Sequence, residues 1–188
     1  MINAFRIGQK VYLRPLERAD APLLQQWIND PEVTRTLLAY QPINLAAEER
    51  WLDELDKTDH DVVLGIAIAC TDTLIGAVGL HRIDYKNRHA QFGIMIGDRH
   101  EWHKGYGAEA TALMVAYAFD TLNLNRVYLH VYVTNPYARR IYEKVGFQTE
   151  GILRQESYRE GGYVDAVAMA ILRGDWEARR APGGTQTS

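Results

Sequence analysis

The sequence predicts a mixed α/β fold, α+β rather than doubly wound, in which a central, mostly antiparallel sheet is flanked by helices in the order βααβββαβαββ. Three observations predict it. Short apolar runs rich in β-branched residues recur at 62–70, 73–81 and 89–96, separated by turn-forming or polar stretches, which marks three consecutive antiparallel strands. A long run with helical apolar spacing, 106–121, precedes an alternating strand, 126–133. The order of elements lacks the regular βαβ alternation of a doubly wound parallel sheet.

The elements follow from local signals. Tyr12-Leu13-Arg14-Pro15 opens the chain as a strand. Asp20 before Pro22 marks a helix start; Leu23, Leu24, Trp27 and Ile28 share a face until Asn29-Asp30-Pro31 stops the helix. An extended loop is expected over 30–43. Asn44 caps a second helix, with Ala47, Trp51, Leu52 and Leu55 as its apolar stripe opposite Glu48, Glu49, Asp53 and Glu54. In the helix 106–121, Ala110, Leu113, Met114 and Tyr117 keep helical spacing. In 126–133, Val127, Leu129, Val131 and Val133 alternate with Tyr128, His130 and Tyr132, as a central strand requires. Asn135-Pro136 opens a further helix that Gly146 ends, and 147–154 with 163–172 form a closing antiparallel pair. Residues 1–180 are expected to form one domain, and the tail from Ala181 to be disordered.

Composition narrows the function. A hydrophobic share of 47% and a charged share of 24% in 188 residues are those of a globular chain able to bury a core. With 21 basic and 24 acidic residues the net charge is -3, which gives no electrostatic reason to bind nucleic acid or an anionic membrane. The single cysteine, Cys70, forms no intramolecular disulfide. The start of the chain, with Arg6, Gln9 and Lys10, lacks the apolar stretch of a signal peptide, and no segment has the roughly 20 apolar residues of a bilayer span. A cytoplasmic protein acting on a small molecule or a protein is expected.

The chemistry concentrates in His103-Lys104-Gly105-Tyr106-Gly107-Ala108, where two glycines precede a helix whose free N–H groups and positive dipole end suit a phosphate. The stretch Gly105 to Ala110 also matches the dinucleotide fingerprint literally. That fingerprint requires a tight turn directly after a strand and an acidic residue roughly 20 positions further on. A seven-residue connection, 98–104, intervenes, and the following strand ends at Val133-Thr134-Asn135, so a nucleotide-dependent oxidoreductase is disfavoured. No Gly-Lys-Ser/Thr follows a strand, which excludes a P-loop. His100 and His103 have no third ligand at metal spacing, and no metal is expected. Arg139-Arg140 reads as a solvated basic face.

Trp102-His103-Lys104-Gly105-Tyr106-Gly107 resembles the Q/R-x-x-G-x-G/A arm of the GNAT superfamily of N-acetyltransferases, with Trp102 in place of glutamine or arginine. Asn135 to Phe147 resembles the same family's N-x-x-(A/S)-x-x-x-Y-x-x-x-G-F helix, through Asn135, Ala138, Tyr142, Gly146 and Phe147. Tyr12 to Leu16 with Asp20, and Trp27 to Val33, are similar to its branch of ribosomal-protein N-terminal and polyamine acetyltransferases, so the likeness runs from about Val11 to about Trp176.

The resemblance implies a GNAT fold splayed between the fourth and fifth strands, and acetyl-CoA as co-substrate. It implies that Ile94, Met95 and Ile96 receive the pantetheine arm, with a backbone N–H near Met95 polarising the acetyl carbonyl. It places the pyrophosphate on His103, Lys104, Gly105, Tyr106, Gly107 and Ala108, gives Asn135 a pantetheine hydrogen bond, and makes Tyr142 the acid that protonates the leaving thiolate. Many relatives carry glutamate where this chain has Gln91, which is no useful base; Glu32 is the substitute expected. The acceptor expected first is a protein N-terminal α-amino group of the ribosomal type, with a small polycation such as a polyamine as the alternative. Asp30, Glu32, Glu48, Glu49, Asp53 and Glu54 suggest an acidic acceptor side. A coenzyme-binding sensor without turnover is the reading of another class, against which Tyr142 stands. Among partners, an amine-bearing substrate is expected, nucleic acid and membrane are not, and a homo-oligomer is left open.

Overall fold

The computed structural model describes residues 3–180. Its elements in chain order are β1 (Arg6–Ile7), β2 (Val11–Pro15), α1 (Ala21–Ile28), α2 (Pro31–Thr34), α3 (Leu45–Leu55), β3 (Val62–Ile68), β4 (Leu74–Asp84), β5 (His89–Ile96), α4 (Tyr106–Asp120), β6 (Arg126–Tyr132), α5 (Pro136–Val145), β7 (Gln148–Arg159), β8 (Gly162–Leu172) and α6 (Arg173–Arg180). One eight-stranded sheet has the order β1-β2-β3-β4-β5-β6-β8-β7. Every neighbouring pair is antiparallel except β5 and β6, which are parallel and pair only at His89–Arg126, Ala90–Val127 and Gln91–Tyr128. Beyond Gln91 the two strands part. This is the splay expected between the fourth and fifth strands of the sequence reading.

The helices form where their local signals lie. Asn44 caps α3 by accepting from the Ala47 N–H at 2.9 Å, and Asn135 caps α5 by accepting from the Ala138 N–H at 3.1 Å. α4 buries Ala110, Thr111, Met114, Val115, Ala118 and Phe119 in the main core, against β-strand residues such as Leu13, Ile66, Val78, Phe92, Leu129 and Met169. A second cluster joins Leu24, Trp27, Val33 and Leu74. At its edge the Trp27 ring lies where a side chain on Gly97 would be: a Cβ there would come within 2.1 Å of Trp27 Cδ2. The backbone after β5 thus approaches α1 closely because residue 97 has no side chain.

Four local readings change. Within the expected loop 30–43, Pro31–Thr34 forms the short helix α2, capped by Asp30, whose carboxylate accepts from the Glu32 N–H at 2.9 Å. A further helix, α6, follows β8, with Trp176 as its buried residue. The apolar run at 62–70 leaves the sheet after Ile68, and Cys70 is exposed in the turn. On α3 the inward face is rotated from the expected stripe, so that Glu48 is buried and Trp51 is exposed. Burial raises the Glu48 carboxyl above the ordinary glutamate range. The tail from Ala181, expected to be disordered, lies outside the described residues.

Candidate active site

The parting of β5 and β6 opens a cavity of about 390 Å³ whose wall includes Ile94, Met95 and Ile96 from β5 and His130 and Val131 from β6. The start of α4 closes one end with Gly105, Tyr106 and Gly107. α5 and the residues before it contribute Asn135, Ala138, Ile141 and Tyr142, and the segment Glu32 to Leu37 forms another side. Nearly all the residues singled out in the sequence meet here: Glu32, Ile94, Met95, Ile96, His103, Gly105, Tyr106, Gly107, Asn135 and Tyr142 line one cavity. Lys104 and Ala108 are outside its lining.

The phosphate-type arm is built by backbone conformation. Gly105 has φ +88° and is the N-cap of α4, a left-handed conformation that an L side chain adopts only with strain. The first three N–H groups of the helix, at Tyr106, Gly107 and Ala108, have no intrahelical acceptor by the geometry of any helix start. Glu109 N–H is the first to bond back, to the Gly105 carbonyl at 3.2 Å. A Cβ on Gly107 would meet Ile96 Cγ1 at 3.7 Å and Ile94 Cδ1 at 4.0 Å, so it would occupy the cleft between α4 and β5 rather than clash. The arm is tied to β2 from below: the Glu109 carboxylate accepts from the N–H groups of Gln9, Lys10 and Val11 at 2.5, 2.8 and 3.1 Å. The Lys104 ammonium pairs with Glu101 at 2.8 Å, and the Lys104 carbonyl accepts from Lys10 Nζ at 3.2 Å.

Trp102, which departs from the family's glutamine or arginine, has a structural task. Its indole N–H donates to the Ile96 carbonyl at 2.8 Å, joining the end of β5 to the arm, and its side chain lines the cavity. Asn135 does cap its helix, through Oδ1. His103, with φ +62°, packs edge to face on Tyr137, ring centroids 4.6 Å apart.

Tyr142 is largely buried among Phe92, Phe147 and the cavity wall. Among the described residues its hydroxyl has no hydrogen-bond partner, and burial pushes its pKa up to about 12. The phenol therefore keeps its proton at neutral pH. Glu32 stands at the cavity side on α2, half exposed and 3.9 Å from Arg35. The acidic group around it is less open than its sequence suggests. Glu49 and Asp53 both pair with Arg18, at 3.0 and 2.7 Å, Asp30 pairs with Arg99 at 3.4 Å, and Glu48 is buried. Of the six acids, Glu32 lines the cavity. Gln91 does not line it. Three ionisable cavity residues escaped the sequence reading: His130, which reads there as an outward position on a strand, Glu101, which reads as part of a polar connection, and Arg35, which falls in the expected loop 30–43.

Among the described residues, no group of three or more His, Cys, Asp or Glu is placed to hold a metal ion, and no helix is long and apolar enough to cross a membrane. A family model described as an acetyltransferase (GNAT) domain matches residues 10–148. The chain belongs to the GNAT acetyltransferase family.

Spermidine N(1)-acetyltransferase of Escherichia coli K12 is 34% identical to this GNAT chain over 180 residues, 95% of either chain. The crystal structure of spermidine N-acetyltransferase from Vibrio cholerae in complex with CoA and spermine superposes with a TM-score of 0.84 at 30% identity, covering 90% of this chain and 99% of that one. YdaF of Bacillus subtilis, a candidate ribosomal N-acetyltransferase, is 35% identical over 108 residues, 57% of this chain and 58% of that one. The chain is thus a GNAT N-acetyltransferase that uses acetyl-CoA, related to the spermidine acetyltransferases and to ribosomal-type relatives.

Proposed function

We propose that this enzyme transfers acetyl from acetyl-CoA to a primary amine of a small polycation of the spermidine class. The observation that carries the choice of acceptor is the extent of likeness. The E. coli spermidine enzyme aligns over 95% of both chains, whereas the ribosomal-type relative aligns over 57% of this one. A protein N-terminus, the acceptor first expected from the sequence, is the weaker reading. The buried hydroxyl of Tyr142 in the cavity wall speaks against a sensor without turnover.

In this reading the free N–H groups at the start of α4, with Gly105 and Gly107 leaving room, hold the pyrophosphate, and His103, Lys104, Tyr106 and Ala108 complete the arm. The main chain of Ile94, Met95 and Ile96 has lost β6 as a partner, so its groups on that side are free to pair with the pantetheine as with an added strand. The Met95 N–H polarises the acetyl carbonyl. Asn135 reserves its amide N–H groups for the pantetheine, since its oxygen is engaged in the cap. The enzyme's residues thereby fix the thioester for direct attack through a tetrahedral intermediate.

Tyr142 serves the leaving sulfur. Its pKa of about 12 stands well above the roughly 8.5 of a free thiol, so complete proton transfer to a thiolate in water would be uphill. The departing thiolate is desolvated in the same cavity, which raises its proton affinity too, and the phenol first donates a hydrogen bond that becomes transfer as the C–S bond breaks. Glu32 contributes negative charge on the acceptor side.

The experiment is CoA release from acetyl-CoA with spermidine, spermine and a panel of peptides with free N-termini. A kcat/KM for a polyamine at least tenfold above the best peptide is expected. A peptide preferred over both polyamines refutes the acceptor assigned here.

A further inference from the structure

Acetylation of a cationic amine needs a group that takes its proton, and the cavity offers few. Its ionisable wall residues other than tyrosines are Glu32, Arg35, Glu101, His103 and His130. Arg35 is always charged. Glu101 is engaged by the Lys104 ammonium at 2.8 Å. His103 belongs to the phosphate-binding end, two residues before Gly105, and packs on Tyr137. Glu32 is 53% exposed and stands 3.9 Å from the Arg35 guanidinium, which occupies the carboxylate from the solvent side.

His130 is placed differently. It lies on β6 two residues beyond Tyr128, the last residue paired with β5, and so at the point where the strands part. It shares a strand face with Tyr128 and Tyr132, opposite the core face of Val127, Leu129 and Val131. On its β8 side the register partner is Ala168, which brings no competing charge. From β7, Glu156 Oε1 stands 4.0 Å from Nδ1, longer than a direct hydrogen bond but close enough to orient the ring. Among the described residues Nε2 has no partner. The other charged or titratable groups around this face include Tyr128, Tyr132 and Arg126 on β6, the last paired with Glu150 of β7, His89 on β5 against the Tyr128 ring, Arg159 on β7, which donates to the Tyr132 hydroxyl at 3.2 Å, Glu32 and Arg35 across the cavity, and Tyr142 on α5.

We propose that His130 is a catalytic residue, the base that takes the proton from the acceptor amine, with Glu156 as its positioning residue. The inference rests on the acetyl-transfer reading above. The ammonium gives one proton to His130 Nε2, which returns it to solvent. The nitrogen lone pair then forms the bond to the acetyl carbon, and the C–S bond breaks with its electron pair on sulfur. The thiolate takes the proton of Tyr142, and the proton shed by the newly bonded nitrogen restores it, so one proton is released per turnover. An imidazole suits the task because its ordinary titration range lies near neutrality.

The test is the pH profile of kcat/KM for spermidine in the wild type, His130→Ala and Glu156→Gln, with acetyl-CoA affinity measured by titration for each. His130→Ala is expected to lose roughly 100-fold or more in rate at neutral pH with acetyl-CoA affinity unchanged. It also loses the steeper part of the acid limb, keeping the shallower fall that the amine's own protonation imposes on both proteins. Added imidazole is expected to restore part of the rate in His130→Ala, which a purely structural role does not allow. Glu156→Gln is expected to lower kcat more than it changes KM and to keep the steep limb. An active wild type with an unimpaired His130→Ala, or an impaired one that imidazole does not rescue and whose acid limb is unchanged, overturns the assignment to His130. A wild type inactive on every amine overturns the acetyl-transfer reading and this inference with it.

Discussion

Tyr142 meets Phe92 edge to face, ring centroids 5.9 Å apart and planes at 78° to one another. The phenol is therefore held by ring packing, and its hydroxyl is spare. Tyr142→Phe keeps every ring contact and removes the hydroxyl proposed above to protonate the departing sulfur. Turnover is expected to fall roughly 100- to 10,000-fold, with acetyl-CoA affinity and the melting curve unchanged. A hydroxyl bonded within the core would have cost about 1 kcal/mol of stability on removal, so a destabilised variant with normal turnover per folded molecule contradicts the assignment.

The two glycines of the arm separate fold from binding. Gly107→Val places its branched side chain in the cleft near Ile96 and Ile94, where the first carbon finds ordinary contacts, so the protein is expected to fold and to bind acetyl-CoA at least tenfold more weakly. Gly105→Ala forces an L side chain into φ +88° at the helix cap, and a loss of about 1 kcal/mol in stability is expected. Calorimetric titration and urea unfolding of both variants check the split. Undiminished affinity in a folded Gly107→Val moves the phosphate site elsewhere.

Saturating acetyl-CoA is expected to raise the melting temperature, because the cradle exists in the folded state only and ligand binding adds RT ln(1 + [L]/Kd) to its stability. Scanning calorimetry at two ligand concentrations reads the effect. The Gly107→Val protein, scanned in parallel, should show little of it.

Glu109 supports the arm from beneath through its bonds to three consecutive main-chain N–H groups, Gln9 to Val11. Glu109→Ala leaves those donors without their carboxylate. A loss of about 2 kcal/mol in urea unfolding is expected, the size typical of hydrogen bonds to a charged group. Glu109→Gln, which keeps one acceptor oxygen, should fall between. Equal stability of all three proteins would show that water replaces the carboxylate at no cost.

Burial raises the Glu48 carboxyl above its unfolded value, so the folded state holds this proton more tightly than the unfolded chain does. Stability from this group is then greatest below the unfolded glutamate pKa, about 4.3, and declines as pH rises through the higher folded value. Glu48→Gln removes the cost of a desolvated charge. Its melting temperature is expected to exceed that of the wild type at pH 7.5 and the gap to close toward pH 4. A gap independent of pH would assign the gain to packing.

Much of the arm was legible in the sequence because its geometry is local. Gly105 and Gly107 stand where a helix starts, and Asn44 and Asn135 cap the helices that follow them through N–H groups only three residues away. α2 escaped because Asp30-Pro31 reads as a stop as readily as a start, and a four-residue helix is too short to show a period. α6 escaped because one buried residue, Trp176, makes no stripe. The acids of α3 read as an open anionic surface, since nothing near them in the chain announces Arg18, 31 and 35 residues away, which neutralises two of them.

By itself the sequence determined the order of the longer elements, the glycine arm, the helix that carries Tyr142 and the family to which these belong. Each depends on backbone preferences and side-chain periods spanning a few neighbours. Only the tertiary structure decided that β6 leaves β5 after Tyr128, and with that parting an outward strand position, His130, becomes a cavity wall that shares its space with Tyr142 and Glu32. Register and desolvation are set by partners distant in the chain. The same side chains have no common cavity, and Tyr142 no raised proton affinity, until those partners meet.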